Sequence, residues 1–373
     1  IRVVNDFRQG MAYAGSLDDS VLEETLEEAR DNASFGTPDE FLAIAEPDGV
    51  NSISLELLNP ELNSFANEDK ISLAIELEKS ISESDPRIIG VESTDYVDSI
   101  NTSAIVTTSG ISRASEEGGC YLAASSLASD GTDTQTGFGY SVGRSPAQLQ
   151  IEKASSEATE RATRLLGAKK AESGRMTVIL DPYVTAQFLG IIGSTLSGEA
   201  LLKGRSLFAD REGDQIGPEF LTLIDDPTDA EAFTATEADG EGLASRKNML
   251  IDRGSLNGFL HNSYTARALG KVSTGSAVRS YNSSPGAGPL ALSLVPGESN
   301  QTELIQQVGE GILIQGVAGL HSGVNPVSGD FSAGAEGLMI RKGQLAEPVR
   351  EVTIASTLQR MLLDIQSIGS DLE

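Results

Sequence analysis

Tryptophan is absent from the 373-residue chain, and aromatic residues make up 5% of it. There is one cysteine, Cys120, so no intrachain disulfide can form, and a lone thiol suits a reducing cytoplasm. In "GGCYLAASS", which reads as a strand, that thiol is expected to be a small buried hydrophobe, not a nucleophile. Histidine occurs twice, at His261 and His321, too few for a self-contained zinc site of the usual peptidase kind. No apolar run reaches the ~18 residues that would point to a membrane helix. Positive charge is scarce: 27 Lys and Arg against 55 Asp and Glu give a net charge of −28. A field of that sign repels phosphate backbones, which argues against nucleic-acid binding and favours a solvated acidic exterior or a basic partner. A signal-like opening is also missing.

What is present is 39% hydrophobic content, enough for two cores, together with 39 glycines that imply many turns. Apolar residues at helical spacing predict helices over 16–35 and 67–85, the second stopped by Pro86. Residues 87–144 change to β-branched residues broken by glycines and predict three or four antiparallel strands, with a hairpin turn at "SDGTDT". Ser145 and Pro146 are read as the start of a third helix and Gly167 as its stop. "AKKAESGR" then reads as a linker. Beyond it come a buried strand in "MTVILDP", a helix-like "YVTAQFLGIIGSTLSGEALL", a strand-rich stretch, and a last helix in "TIASTLQRMLLDIQSIGSDL". The expected class is α+β: an N-terminal α/β-type domain over 1–170 with helices on a mixed or antiparallel sheet, and a strand-rich, barrel-like domain over 171–373.

A search for chemistry finds no HExxH, no GxSxG elbow and no GxxxxGK loop. His321 and Ser322 are adjacent and, on a strand, would point to opposite faces. Asp225–Asp226 precedes a proline and is expected to cap a turn, and "EADGEG" reads as a flexible acidic loop. Long glycine-rich loops remain, in "GKVSTGSAVRSYNSSPGAGPLALSLVPGES" and "GLHSGVNPVSGDFSAGAEG", flanked by strands whose edges could pair with an extended peptide. The stretch "HNSYTARALGKVSTGS" gathers His261, Asn262, Tyr264 and Arg267. These are tentative substrate or interface contacts, weighed against a plain helix start whose polar groups satisfy the backbone.

Taken in order, "RVVNDFRQGMA", "EATERATRLLGAKK", "VILDP", "REGDQIGPEFLTLIDDPTD", "DGEGLASRKNMLIDRGSLNGFLHNSYTARALG", "STGSAVR", "GVNPVSGDFSAGAEGLMIRKGQLAEPVREVTIAS" and "LLDIQSIGSDL" resemble the TldD/PmbA (TldD/TldE) family across nearly the whole chain. TldD-type members carry an HExxxH zinc motif on the helix after the "VILDP"-like strand. Here Leu189 and Ser194 stand at the histidine positions and Gly190 at the glutamate position, with no His or Glu from Asp181 to Gly198. The resemblance is therefore to the PmbA (TldE) branch. It implies no catalytic site and no metal in this chain, and zinc only in a TldD-type partner. It further implies a cytoplasmic heterodimer that cleaves unfolded or extended peptides, such as leader peptides and toxin-system proteins. Two other readings stay open: a metal-free homodimeric peptide-binding or scaffolding protein, and a stand-alone hydrolase with an unfamiliar site. Relative to the family pattern, both ends of the chain are expected to be truncated. No membrane or nucleic-acid partner is expected.

Overall fold

In the computed structural model, which describes residues 1–372, the chain opens with a hairpin. Strands β1 (Arg2–Asn5) and β2 (Arg8–Met11) pair antiparallel, and Asp6 and Phe7 turn between them with positive φ. Helix α1 (Asp19–Ser34) buries Thr25, Ala29 and Ala33, one face at helical spacing. Residues 35–60 then run without regular structure to the short α2 (Glu61–Ser64) and to α3 (Asn67–Ser84).

Three long strands follow: β3 (Ile88–Val106), β4 (Ser112–Ser129) and β5 (Thr134–Gly143), antiparallel in the order β3-β4-β5. The expected helix start at Ser145 is a short 3-10 turn over Pro146–Gln148 with a Ser145/Gln148 capping box; helix α4 begins later, at Ile151, and ends at Arg164. The cause is local: Gln148 spends its side chain on the Arg144 and Ser145 amides, and the extended Gln150 donates its amide to Ser141 Oγ. One face of the sheet is covered by α3 and α4, joining Leu77, Ile81, Leu122, Ala124, Ala154 and Ala158 in a core. Helix α4 lies directly on β5, because Gly137 and Gly139 leave the space that its Ala158 and Ala154 carbonyls fill.

The linker stretch passes along the second half of the chain, where Lys169 bridges to Val349. Strand β6 (Thr177–Leu180) is only partly buried, at a sheet edge, where a buried strand was expected. It leads into α5 (Pro182–Thr195), and α6 (Gly198–Leu202) follows after a break at Leu196–Ser197. Then come β7 (Leu223–Asp225), β8 (Asn248–Asp252), β9 (Ser255–Leu256), α7 (Ser263–Leu269), β10 (Ala277–Val278), β11 (Gly286–Ala287) and β12 (Leu292–Leu294). The chain closes with α8 (Gln301–Val308), β13 (Gly311–Ala318), α9 (Leu320–Gly323), β14 (Asp330–Arg341), β15 (Gln344–Thr357) and α10 (Leu358–Leu363).

The class is α+β, as expected, with a strand-rich second half. The barrel-like picture is corrected: the described strands form open sheets, β15-β14-β13-β6 with β13 and β6 parallel, and β12-β7-β8-β9. Between them sits the main core, with Phe188 of α5 edge-on to Phe331 of β14 at 5.2 Å. The expected last helix shrinks to six residues, since Thr353–Thr357 continues β15 against β14. His321 and Ser322 lie in the helical turn α9, not on a strand; both are exposed, and Ser322 Oγ bonds the Gly319 carbonyl.

Candidate functional site

Helix α5 begins where Asp181 accepts the Val184 amide (2.8 Å) and Pro182 presets the first turn. Val184, Phe188, Ile192 and Thr195 bury one face. Gly190 and Ser194 lie on the exposed side, and Leu189 is half-buried against the main core. Nothing stands within 4 Å of where a Gly190 side chain would begin, and Ser194 Oγ donates back to the Ile191 carbonyl. The helix therefore offers an open face, but its Leu189–Gly190–Ser194 set supplies neither imidazole nor carboxylate. Among the described residues no group of three or more His, Cys, Asp or Glu side chains could hold a metal ion. The donor set does not fit zinc.

Helix α7 gathers the four residues of the histidine loop. Asn262 caps it, accepting the Thr265 amide and donating to the Pro285 carbonyl, both at 2.8 Å. His261 is buried, its Nδ1 3.3 Å from Thr265 Oγ1. Its ring occupies the space left by the absent side chain of Gly198. Burial, with the Lys271 charge nearby, holds its pKa below the ordinary value, while Glu212 opposes the shift. Tyr264 and Arg267 reach back across the chain: the Tyr264 hydroxyl donates to Asp39 Oδ2 (2.7 Å), and the Arg267 guanidinium donates to the Phe41 and Ala43 carbonyls (2.8 and 3.1 Å). All four thus make bonds within the chain, and two of them fasten the irregular 39–43 segment to α7.

The stretch "EADGEG" is an ordered, buried turn, which corrects its reading as a flexible acidic loop. Asp239 accepts the Glu241, Leu243 and Ala277 amides (2.9–3.0 Å), and Glu241 accepts the Ser263 amide and hydroxyl (2.8 and 2.6 Å). Burial nevertheless pushes the Asp239 pKa up to about 6. Asp225 is likewise buried and accepts the Leu290 and Ala291 amides, whereas Asp226 caps Thr228 at the turn, as expected. Cys120 is buried, its thiol pushed up to about 11 by burial.

A cleft of about 750 Å³ that the sequence did not disclose opens between the β3–β4 hairpin and the 233–240 and 277–279 segments. The hairpin bridges it like an arm fixed at two places. Near its base, Gly119 has no side chain, so the Phe233 ring lies on the strand; a methyl at Gly119 would come within 2.7 Å of it. Arg144 locks this contact, donating to the Leu57, Ala232 and Phe233 carbonyls, with its guanidinium 5.8 Å from the Phe233 ring centre. At the tip, Ile105 and Ile111 press on Gly242, and Ile111 clusters with Ala45 and Leu243. Such distant segments leave no local signal, apart from the glycines of "EEGGC".

Two family models match this chain: the PmbA/TldA metallopeptidase central domain over residues 60–166 and the C-terminal domain over residues 173–373. Metalloprotease PmbA of Escherichia coli O157:H7 is 26% identical over 380 residues, spanning 100% of this chain and 81% of its own length. A metalloprotease of Methanothermobacter thermautotrophicus is 30% identical over 289 residues, 76% of this chain and 63% of its own. A crystal structure from Thermotoga maritima, described as a candidate modulator of a DNA gyrase, superposes with a TM-score of 0.90 at 27% identity, covering 99% of this chain and 83% of that one. TldE from Thermococcus kodakarensis has the same fold, with a TM-score of 0.90 at 24% identity and coverage of 99% and 84%. The chain belongs to the PmbA/TldD metallopeptidase family and fits its PmbA/TldE branch.

Proposed function

We propose that this chain is the metal-free member of a two-subunit peptidase: it completes an enclosed chamber with a TldD-type, zinc-bearing partner and holds extended peptides there. The observation that carries the reading is the α5 face, exposed and roomy, where Leu189, Gly190 and Ser194 offer no metal donor and no general base. The curated relatives are named metalloproteases, which supports a place in a peptidase system, and the fold is shared with TldE. No cofactor is assigned to this chain. A lone buried thiol suits a reducing compartment, so we place the complex in the cytoplasm.

The test is metal content and peptide cleavage, with the chain alone and mixed with a TldD-type subunit. The expected result is no stoichiometric zinc and no cleavage alone, and chelator-sensitive cleavage in the mixture. Zinc and robust cleavage by the chain alone would overturn it in favour of a stand-alone hydrolase. No cleavage in the mixture, with the partner's zinc verified, would favour a scaffolding homodimer.

A further inference from the structure

A strand edge lies open along the cleft. Strand β3 ends its three-stranded sheet, so no strand lies on its outer side. The phase of its ladder is set by Gly118 of β4, whose amide points away from β3 to the Leu57 carbonyl. Ile100, opposite Gly118, therefore turns its own amide and carbonyl outward, and by alternation so do Thr102, Ala104 and Val106. The Thr107 amide, bonded to the Ile111 carbonyl across the tip, gives the same phase. All four outward residues are exposed, and none makes a hydrogen bond across that edge among the described residues. Two comparable rows are closed: Leu57 covers β4 where β5 stops, and Lys169 covers β15 through Pro348 and Arg350.

The usual guards are missing as well. Edge strands are commonly kept from pairing by charge, proline or bulges. Strand β3 places its acids Glu92, Asp95 and Asp98, and both of its bulges, before Ser99; the remainder, "SINTSAIV", has neither charge nor proline. One face of this stretch borders the cleft, through Ser99, Asn101, Ser103 and Ile105. The cleft has apolar lining in Tyr121, Phe233, Val278 and Leu290, and its acids Asp98, Glu117 and Glu237 already have partners in Lys70, Asn101 and the Leu55 amide.

We propose that an extended peptide binds here as a fourth strand, beside β3 along residues 100–106, with every second side chain entering the cleft, where apolar residues are favoured. The inference rests on the peptide-holding reading above and names the place and the bonds. Main-chain groups of Ile100, Thr102, Ala104 and Val106 hold the backbone, and the cleft reads alternate side chains. In either strand direction only alternate residues of the added strand bond to β3. The occupant is a lone strand and not a second copy of this chain: two copies bring −28 against −28, whereas a short uncharged peptide meets no such repulsion.

The experiment measures fluorescence anisotropy of labelled ten-residue peptides on the full chain, each capped at both ends and alternating leucine with threonine. The plain peptide is compared with two others, N-methylated on all the leucines or on all the threonines. Methylation of one set should weaken binding at least about tenfold, while the other set stays within about threefold of the plain peptide. Glutamates in place of the leucines should also weaken it at least about tenfold. Ala104→Pro removes an outward amide without costing the sheet a ladder bond and should weaken the plain peptide at least about fivefold, whereas Ala104→Ser should not. Equal loss from both methylated sets, loss from neither, or no binding of the plain peptide overturns the proposal. So does a dimer of the chain that Ala104→Pro dissolves and the peptide leaves intact. The methylated peptides need no variant, so misfolding cannot shield it. Cleavage in the partner mixture is read separately: a bound peptide that is never cut sinks the subunit reading and leaves the strand site standing.

Discussion

Asp239 shows how opposing forces meet at one side chain. Three amides favour its charged form, yet removal from water outweighs them and lifts its pKa to about 6 from 3.8. Because the folded value is raised, the folded chain binds the proton more tightly than the unfolded one. The stabilisation is complete below pH ~4 and is lost as pH rises through 6. About two units correspond to ~3 kcal/mol. Stability from urea unfolding should therefore fall between pH 4 and 6.5 more steeply in the parent than in Asp239→Asn, and parallel slopes would refute this. Asp239→Asn should also cost ~1–3 kcal/mol, because its amide group would face the Ala277 amide donor to donor. At this scale the sequence was legible along α5, where Leu189, Gly190 and Ser194 supply neither imidazole nor carboxylate. It was silent where contacts are remote: Tyr264 and Arg267 meet partners 224 to 226 residues away.

Among the elements, α4 and β5 approach closely through glycine. Gly137 sits where the Ala158 carbonyl and the Ala162 amide of α4 arrive, so even a methyl group must push backbone away. Gly137→Ala should cost ~2 kcal/mol or more, seen as a lower midpoint in thermal unfolding. Gly15→Ala, where nothing stands within 4 Å, should cost less than ~0.5 kcal/mol. Helices α1 and α3 and the three-stranded sheet were legible because each has a clean period and a clear stop. The final segment misled because "TIASTLQRMLL" satisfies both periods. Pairing with β14 claims it as far as Thr357, whose side chain then caps α10 by accepting the Arg360 amide. Ser145 does cap a turn that opens at Pro146, but that turn ends at Gln148, so the start was right and the length wrong.

For the whole molecule, 55 acids against 27 bases make the compact state repel itself. Added salt screens that repulsion over about a 10 Å Debye length at 0.1 M. The unfolding midpoint should rise by at least about 2 °C between 20 and 300 mM sodium chloride, roughly 1 kcal/mol in a chain this long. A midpoint that falls would mean that the favourable ion pairs dominate instead. Finally, the arm over the cleft is seated at both of its ends, Phe233 on Gly119 at one and Ile105 and Ile111 on Gly242 at the other. Held at two supports, the arm should resist swinging away from the wall that carries Phe233 and Gly242, and a side chain added at either glycine would unseat one of them.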